Sequence, residues 1–421
     1  MSPARLAVRA TLIVLIAATT LLLAAVYVPP FVSGAAALAR PVRGAAPATP
    51  LPPGYRPLHK GHIDTATGLY VREDEDLNLS AAPAFILRRT YRTRDPRSRA
   101  FGVGASHTGE WFLIGDSTSF QWAELILQDG GRIRYDRVST GTTILNAQFE
   151  HWGTPTEFYG SQLAWNGTHW VIREWDGTLL TFLSCGGQRA LCSLSSVREP
   201  DGQTTYFRRD SAGVLMRIEA GNQWIAFTYG EGGRVARAEN HGGDAVAYSY
   251  DARGRLRRSL DSAGITRLYE YDDRDRLTRI EEPGRIVENR YDAADLCVWQ
   301  GVRFPRGREG GHAEREPYVF RFKYTMKDGR VHQTDTWESD APPHRRVFTA
   351  GGYIASEAWD FESARAKTIT YDRDPTTGLV SGLTLTCGSG RWQTRRSLTA
   401  TAATQDDVKE ELLRTACVSG K

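Results

Sequence analysis

Between residues 229 and 297 one short motif returns every 20 or 21 residues. Tyr250-Asp251-Ala252-Arg253-Gly254-Arg255-Leu256 reappears as Tyr271-Asp272-Asp273-Arg274-Asp275-Arg276-Leu277, then as Tyr291-Asp292-Ala293-Ala294-Asp295-Leu296. Upstream, Tyr229-Gly230-Glu231-Gly232-Gly233-Arg234-Val235 follows the same template, and Asp210-Ser211-Ala212-Gly213-Val214-Leu215 follows it without the tyrosine. Downstream the copies loosen, from Tyr324 to Gly329-Arg330-Val331 and from Tyr371-Asp372 to Gly378-Leu379. A unit this short has room for two strands of about six to eight residues and two turns, so each unit is one β-hairpin. Asp caps the turn with its side chain, and Gly or Asp accepts the positive φ the turn requires. Tyr248 and Tyr250 share a strand face, as do Tyr269 and Tyr271. Leu277 and Ile280 differ in parity, which a β-bulge would reconcile. One hairpin cannot bury its own apolar face. Stacked hairpins can, and the expected product is a long antiparallel sheet.

Composition agrees with that reading. The 421 residues include 41 Gly, 17 Tyr and 11 Trp but 3 Met, the balance of a turn-rich β protein. A charged fraction of 24% beside a hydrophobic fraction of 41% excludes a wholly disordered chain and a polytopic membrane protein. With 53 basic and 49 acidic residues the net charge is +4, too small and too dispersed for a dedicated nucleic-acid binder.

The N-terminal segment carries a different signal. From Ala10 to Ala39 there is no charge, and the most apolar stretch, Thr11 to Val28, stops at Pro29-Pro30. About 18 helical residues span roughly 27 Å, close to the ~30 Å hydrocarbon core of a bilayer. Residues 1–31 therefore read as a signal anchor with Arg5 and Arg9 on the cytoplasmic side, or as a signal peptide cleaved at a site such as Ala37-Leu38-Ala39. The length of the block favours the anchor, and either reading places the remainder outside the cytoplasm. Residues 32–57, with Pro41, Pro47, Pro50, Pro52 and Pro53, form a semi-rigid linker. In an oxidising compartment Cys185 and Cys192, separated by a stretch containing Gly186-Gly187, are candidates for a disulfide across a hairpin. Cys387 and Cys417 are a weaker pair, which leaves Cys297 as a small buried hydrophobe.

The Tyr-Asp-x-x-Gly-Arg-Leu core at this spacing resembles the YD repeats of the Rhs family. The stretch His62-Ile63-Asp64-Thr65-Ala66-Thr67-Gly68 leads into Glu73–Leu79, Leu87-Arg88-Arg89-Thr90-Tyr91 and Phe101-Gly102-Val103-Gly104. It resembles the domain of unknown function that precedes such repeats in Rhs and wall-associated proteins. The resemblance covers roughly residues 58–385 and implies an all-β scaffold. Its parts are an N-terminal β domain over 58–200, a YD-repeat sheet over 201–390 and a short tail over 391–421, where Gln405–Arg414 reads as a polar helix. Large relatives roll the sheet into a hollow shell around a C-terminal toxin. Here the array of some 190 residues and the tail of some 30 imply a partial shell without a toxin domain. Asp374-Pro375-Thr376-Thr377-Gly378-Leu379 resembles the shell's self-cleavage motif only loosely and reads as a turn.

No complete catalytic motif accompanies the repeat: there is no GxSxG, HExxH or P-loop. Ser106-His107, near Asp95 and Glu110, reads as a satisfied loop histidine. His312-Ala313-Glu314 lacks the PCxxC of a zinc deaminase. The run Glu73-Asp74-Glu75-Asp76 reads as a solvated edge ahead of a weak Ca²⁺ site. Trp111, Trp122, Trp152, Trp165, Trp170 and Trp175 read as sheet core ahead of a sugar-stacking platform. Arg88, Arg89, Arg92, Arg94, Arg97 and Arg99 read as solvent-facing strand residues ahead of a phosphate patch. The expectation is a non-enzymatic, membrane-anchored YD-repeat scaffold of the cell envelope that needs no cofactor or metal and binds a protein or carbohydrate. The alternative is a degenerate carrier or shell component of an interbacterial toxin system. The residues that matter are then those of the repeat turn: Tyr229, Gly233, Tyr250, Asp251, Gly254, Tyr271, Asp272, Tyr291 and Asp292.

Overall fold

The computed structural model describes residues 58–59, 62–152, 158–183, 192–305, 317–374, 380–388, 392–397 and 405–415. The apolar segment, the linker, Cys185, Cys417, His312, Glu314 and residues 375–379 lie outside them. Among the described residues the chain is antiparallel β throughout, with one α-helix, Gln405–Thr415. No helix of the described residues is long and apolar enough to cross a membrane.

From Thr204–Arg209 to Trp392–Ser397 each strand pairs with the next in sequence, which makes one continuous sheet of hairpins. The register slips by one residue at the same place in successive units: Arg208/Arg209, Thr228/Tyr229, Ser249/Tyr250, Glu270/Tyr271 and Arg290/Tyr291. Tyr271 pairs with Leu277 while Glu270 pairs with Arg279, so Thr278 is left unopposed. This is the bulge that the parity of Leu277 and Ile280 demanded, and both residues are buried. The face so aligned carries Phe207, Ile218, Ile225, Phe227, Ala238, Val246, Ile280 and Val287. The opposite face carries Tyr206, Arg208, Arg217, Glu219 and Trp224.

Residues 112–198 form a second unit. Strand Phe112–Gly115 pairs with Trp122–Ile126, and six further strands follow in order to Cys192–Arg198. Cys192 and Ser193 then pair back to Leu113 and Phe112, which closes an eight-stranded barrel. The far end of the same strand, Ser196 to Arg198, pairs with Thr204 to Tyr206 and opens the repeat sheet. Cys192 is disulfide-bonded, and so is Cys387, while Cys297 is free and buried.

The third unit covers the apolar face of the repeat sheet. Strands Leu58–His59, Ile63–Asp64, Leu69–Leu79, Phe85–Arg92 and Ala105–His107 form a five-stranded layer. It meets the repeat turns one after another. Ala100 O accepts from Val235 N at 2.8 Å, Val103 N donates to Gly254 O at 3.3 Å, Tyr91 Oη accepts from Leu277 N at 3.1 Å, and Gly68 O accepts from Cys297 N at 2.8 Å. Two glycines beside these contacts, Gly102 and Gly68, make room for the approach. A Cβ on Gly102 would lie 2.7 Å from Gly254 O, and one on Gly68 would lie 3.0 Å from Leu296 Cδ2.

His107 lies at this junction, not on a loop: it ends a strand, is buried, and its ring centre is 5.7 Å from Phe101 and 5.9 Å from Phe227. Burial, reinforced by the charges of Arg209 and Arg99, pushes its pKa down from 6.5 to about 3. The unfolded chain takes up this proton near 6.5 and the folded protein near 3, so the stability present above 6.5 is lost as pH falls through that window. His107→Phe should flatten the loss. From about pH 6 to pH 4 the wild-type protein should lose about 1.4 kcal/mol per pH unit more than the variant. Urea denaturation across that range measures the difference, and parallel losses would place a protonated His107 in the folded state.

Candidate functional site

The repeat-turn residues are brought together as a ladder. Asp251 Oδ1 accepts from the backbone N–H groups of Arg253 and Arg255, both at 3.0 Å, and Oδ2 accepts from Arg255 Nε at 2.6 Å. Burial opposes ionisation of this carboxyl, but these donors outweigh it and hold the pKa below its usual value. Asp272 repeats the arrangement with Arg274 and Arg276. The arginine also reaches forward. Arg255 donates to Asp272 O at 2.8 Å and Asp275 Oδ1 at 3.2 Å, and its guanidinium lies 5.1 Å from the Tyr271 ring centre. Arg276 does the same to Asp292 O, Asp295 and the Tyr291 ring, at 2.9, 3.0 and 5.0 Å. The tyrosine reaches back: Tyr229, Tyr250, Tyr291 and Tyr324 donate to the carbonyls of Leu215, Val235, Leu277 and Cys297 at 2.5–2.7 Å. Tyr271 meets Tyr91 of the covering layer edge-on at 5.9 Å.

The fourth residue after the tyrosine takes positive φ, 69° at Gly233, 79° at Gly254, 61° at Asp275 and 63° at Asp295. Aspartate is strained there where glycine is not, and the forward-reaching arginine offsets that strain with an ion pair. In the last close copy Leu296 replaces the arginine, and Gly68 packs against it instead.

The second cluster joins the covering layer to the ladder sheet, and sequence reasoning missed it. In Leu69–Leu79 Glu73, Glu75 and Asn78 face solvent; Arg72, Asp74 and Asp76 point inward by the period of two, and the register slip between Glu75 and Leu77 brings Leu77 and Leu79 to the inward side as well. The acidic run is therefore half core, not a solvated edge. Arg89 lies 3.0 Å from Asp76 and 3.4 Å from Asp74, with side chains exposed by only 2%, 0% and 3%. Tyr248 Oη donates to Asp76 at 2.8 Å, and Tyr269 Oη donates to Asp74 at 3.2 Å while accepting from Arg89 at 3.0 Å. Arg72 bridges Asp74 to Glu282 of the repeat sheet at 2.8 Å. Burial pushes the Asp74 carboxyl up, but Arg89 and Arg72 overcome it and hold its pKa at about 2. Burial raises Tyr269 to about 12. These carboxylates are committed to arginines, which removes the calcium reading. The arginine group divides likewise: Arg88 is on the surface with Glu75, Arg92 donates to Asp129 O, Arg99 pairs with Asp95 and Glu110, and Arg89 is core. The signal in the sequence was the period of two in Arg72, Asp74 and Asp76, the spacing of one strand face broken by a bulge.

A third cluster centres on Glu357, 1% exposed, which contacts Arg346 at 3.0 Å, His344 at 3.3 Å, Tyr371 at 2.5 Å and Lys409 of the helix. Burial opposes its ionisation, but His344, Lys409 and Arg346 hold its pKa far below the carboxylate range. The helix also buries Val408 and Leu412 against Ile369, Leu383 and Leu385. The tryptophans divide by position. Trp170 is buried, Trp122 and Trp165 border a cavity at one end of the barrel, and Trp175 is exposed.

Removing one member of a buried ion cluster leaves the others uncompensated. Arg89→Met should cost about 3–5 kcal/mol, because Asp76 stays buried without its cation and Asp74 keeps only Arg72. Adding Asp74→Leu and Asp76→Leu to it should recover most of that loss. Denaturant unfolding followed by tryptophan fluorescence checks both; an Arg89→Met loss under about 1 kcal/mol would mean the cluster carries no packing role.

Residues 60–135 match the sequence model of a domain of unknown function, DUF6531, and residues 250–287 match that of the RHS repeat. No curated protein matches the chain. Among solved structures the chain is similar to TcdB2-TccC3-TEV, at 10% identity and a TM-score of 0.36, over 79% of this chain and 22% of that one. It is similar to the Photorhabdus luminescens Tc holotoxin pore, at 11% identity and a TM-score of 0.36, over 77% of this chain and 18% of that one. The N-terminal domain of effector protein SpvB from Salmonella typhimurium strain LT2 matches at 13% identity and a TM-score of 0.26, over 66% of this chain and 100% of that one. The chain thus spans about a fifth of the Tc structures it matches. The RHS-repeat match falls on the Tyr250 and Tyr271 units of the ladder, and together with the matched domain before it bears out the chain's resemblance to the Rhs/YD-repeat family.

Proposed function

We propose that this chain is an extracytoplasmic scaffold, anchored through its N-terminal apolar segment, which holds a protein or glycan partner on the outer face of its repeat sheet without catalysing a reaction. The observation that carries the reading is the covering of the inner face. The five-stranded layer occupies that face with apolar packing and the Arg89 cluster, so the face left for a partner is the outer one. There arginines lie over aromatic rings: Arg208 over Tyr206, Arg217 over Trp224 and Arg290 over Trp299, at 4.3–4.6 Å. Rigid aromatics paired with arginine are the residue types enriched at binding hot spots. Met216 and Leu268 add exposed apolar surface.

One observation favours the carrier reading. The helix Gln405–Thr415 is gripped by the repeat sheet through Glu357 and Lys409, on the side where Ala66 of the covering layer also packs. A carrier would hold a following polypeptide in this way, and it would yield a co-purifying, protease-protected polypeptide.

Two measurements test the scaffold. Alkaline phosphatase fused after Lys421 should be active in cells, and an inactive fusion of full length would overturn the topology. Affinity purification from the native envelope should recover a partner with the wild-type protein and lose it with Arg217→Glu/Trp224→Ala. Equal recovery by both would remove the outer face as the site, and no partner with either would overturn the scaffold.

A further inference from the structure

At one end of the eight-stranded barrel the inward side chains stop short of filling the bore. They leave a cavity of about 320 Å³, walled by Phe120, Phe149, Leu163, Trp165 and Trp170. The aromatic wall is continuous: Trp165 and Trp170 have ring centres 5.5 Å apart, Trp170 and Phe149 5.9 Å, and Trp170 and Phe120 6.5 Å. Small eight-stranded barrels have interiors wide enough for one small ligand, and their mouths are a recurrent place for such sites.

The rim is built rather than left loose. Two loops form it, one carrying Phe120 and the other Ile144. Arg137 ties them together, donating to Phe120 O at 3.1 Å on the first, and to Thr140 O at 3.2 Å and Asn146 Oδ1 at 2.9 Å on the second. The first loop is also closed on itself, because Asp116 accepts from the backbone N–H groups of Thr118, Ser119 and Gln121 and from the Ser119 hydroxyl. Pre-ordering of this kind lowers the entropy a ligand must overcome.

The wall chemistry selects the ligand. Among the described residues Asp116 is the one charged member of the lining, and its oxygens are turned onto its own loop. Cys192, also in the lining, is disulfide-bonded and offers no thiol. A sugar would bring several hydroxyls into a wall with few partners for them, each a lost hydrogen bond. An anion would meet no opposite charge, and a cation only Asp116, whose oxygens already accept from its own loop. The volume lies at the lower end of the roughly 300–1,000 Å³ range of small-molecule sites. We propose that the barrel mouth binds a small, uncharged, flat apolar molecule of two or three fused rings. This assignment stands apart from the partner proposed for the outer face of the repeat sheet.

The neutral three-ring probe 1-aminoanthracene tests it, titrated into the full-length protein and followed by energy transfer from tryptophan. Two variants of one turn separate the mouth from background partitioning. Ile144 lines the cavity, whereas Leu145 beside it is 63% exposed and does not. The wild-type protein and Leu145→Asp should bind the probe saturably at one site, and Ile144→Asp should bind it at least about tenfold more weakly. Absence of saturable binding to the wild-type protein, or equal binding by all three, would overturn the proposal. Binding of N-acetylglucosamine or cellobiose that Ile144→Asp abolishes, without binding of the probe, would overturn the ligand class.

Discussion

An antiparallel sheet built from 20-residue hairpins presents one whole face of apolar side chains, and that face must be covered before the sheet can exist in water. Here the cover comes from the same chain, and it is fastened by charge as well as by apolar area. Arg89 is shared between Asp74 and Asp76, and the hydroxyls of Tyr248 and Tyr269 complete the shell around them. A purely apolar contact would tolerate a slip of one hairpin. A buried guanidinium between two carboxylates does not, because any displacement strands charge in a medium that cannot solvate it. The four backbone contacts to Val235, Gly254, Leu277 and Cys297 then fall in register with four successive repeat turns.

The ladder solves the other half of the problem, how hairpins with little contact area of their own stay in step. The Tyr250 unit is bonded backward by its tyrosine hydroxyl and forward by Arg255, and its neighbours extend the ladder, Arg276 reaching forward and Tyr291 reaching back. That division explains why the motif couples Tyr, Asp and Arg. Aspartate fixes the turn that aims the arginine, and the next tyrosine ring supplies the surface the guanidinium lies on. Leu296 marks where this logic gives way to packing, for it stands where an arginine would reach forward and lies against Gly68 instead.

Much of this was readable from the sequence. The spacing of Tyr250, Tyr271 and Tyr291 implied the hairpins, and the parity of Leu277 and Ile280 implied the bulge that recurs beside the repeat tyrosines. Turn chemistry is local, so Asp251, Gly254 and Asp272 announced their roles within a few residues. The Arg89 cluster did not, because its members come from positions 72 to 282 and only the packing of two sheets brings them together. Four consecutive acids read as solvent-exposed by composition. Alternation alone puts Asp76 on the side of Asp74, but the bulge after Glu75 brings Leu77 and Leu79 to that side too, so the apolar positions do not show which face of the charged run is buried. His107 was misplaced for the same reason, since its burial depends on Phe227, 120 residues away in the chain.

The barrel and the sheet share one strand, and this sets how their surfaces stand to one another. Cys192–Arg198 pairs with Phe112 and Leu113 at its start and with Thr204 to Tyr206 at its end, while strand Leu179–Phe182 runs along its other edge. The fork is opened by a bulge: Phe182 pairs with Leu194 and Thr181 with Ser196, and the unopposed Ser195 spends its hydroxyl on Thr181 O at 2.9 Å. A bulge bends a strand and raises its twist, which lets one end curl into a barrel of small radius while the other continues as open sheet. Cys192, at the barrel end, lines the aromatic mouth; Tyr206, paired with Ser196, begins the arginine–aromatic face. Both surfaces are thereby fixed to a single run of seven residues with backbone pairing on either edge, so the scaffold presents them at a set angle without a hinge between them.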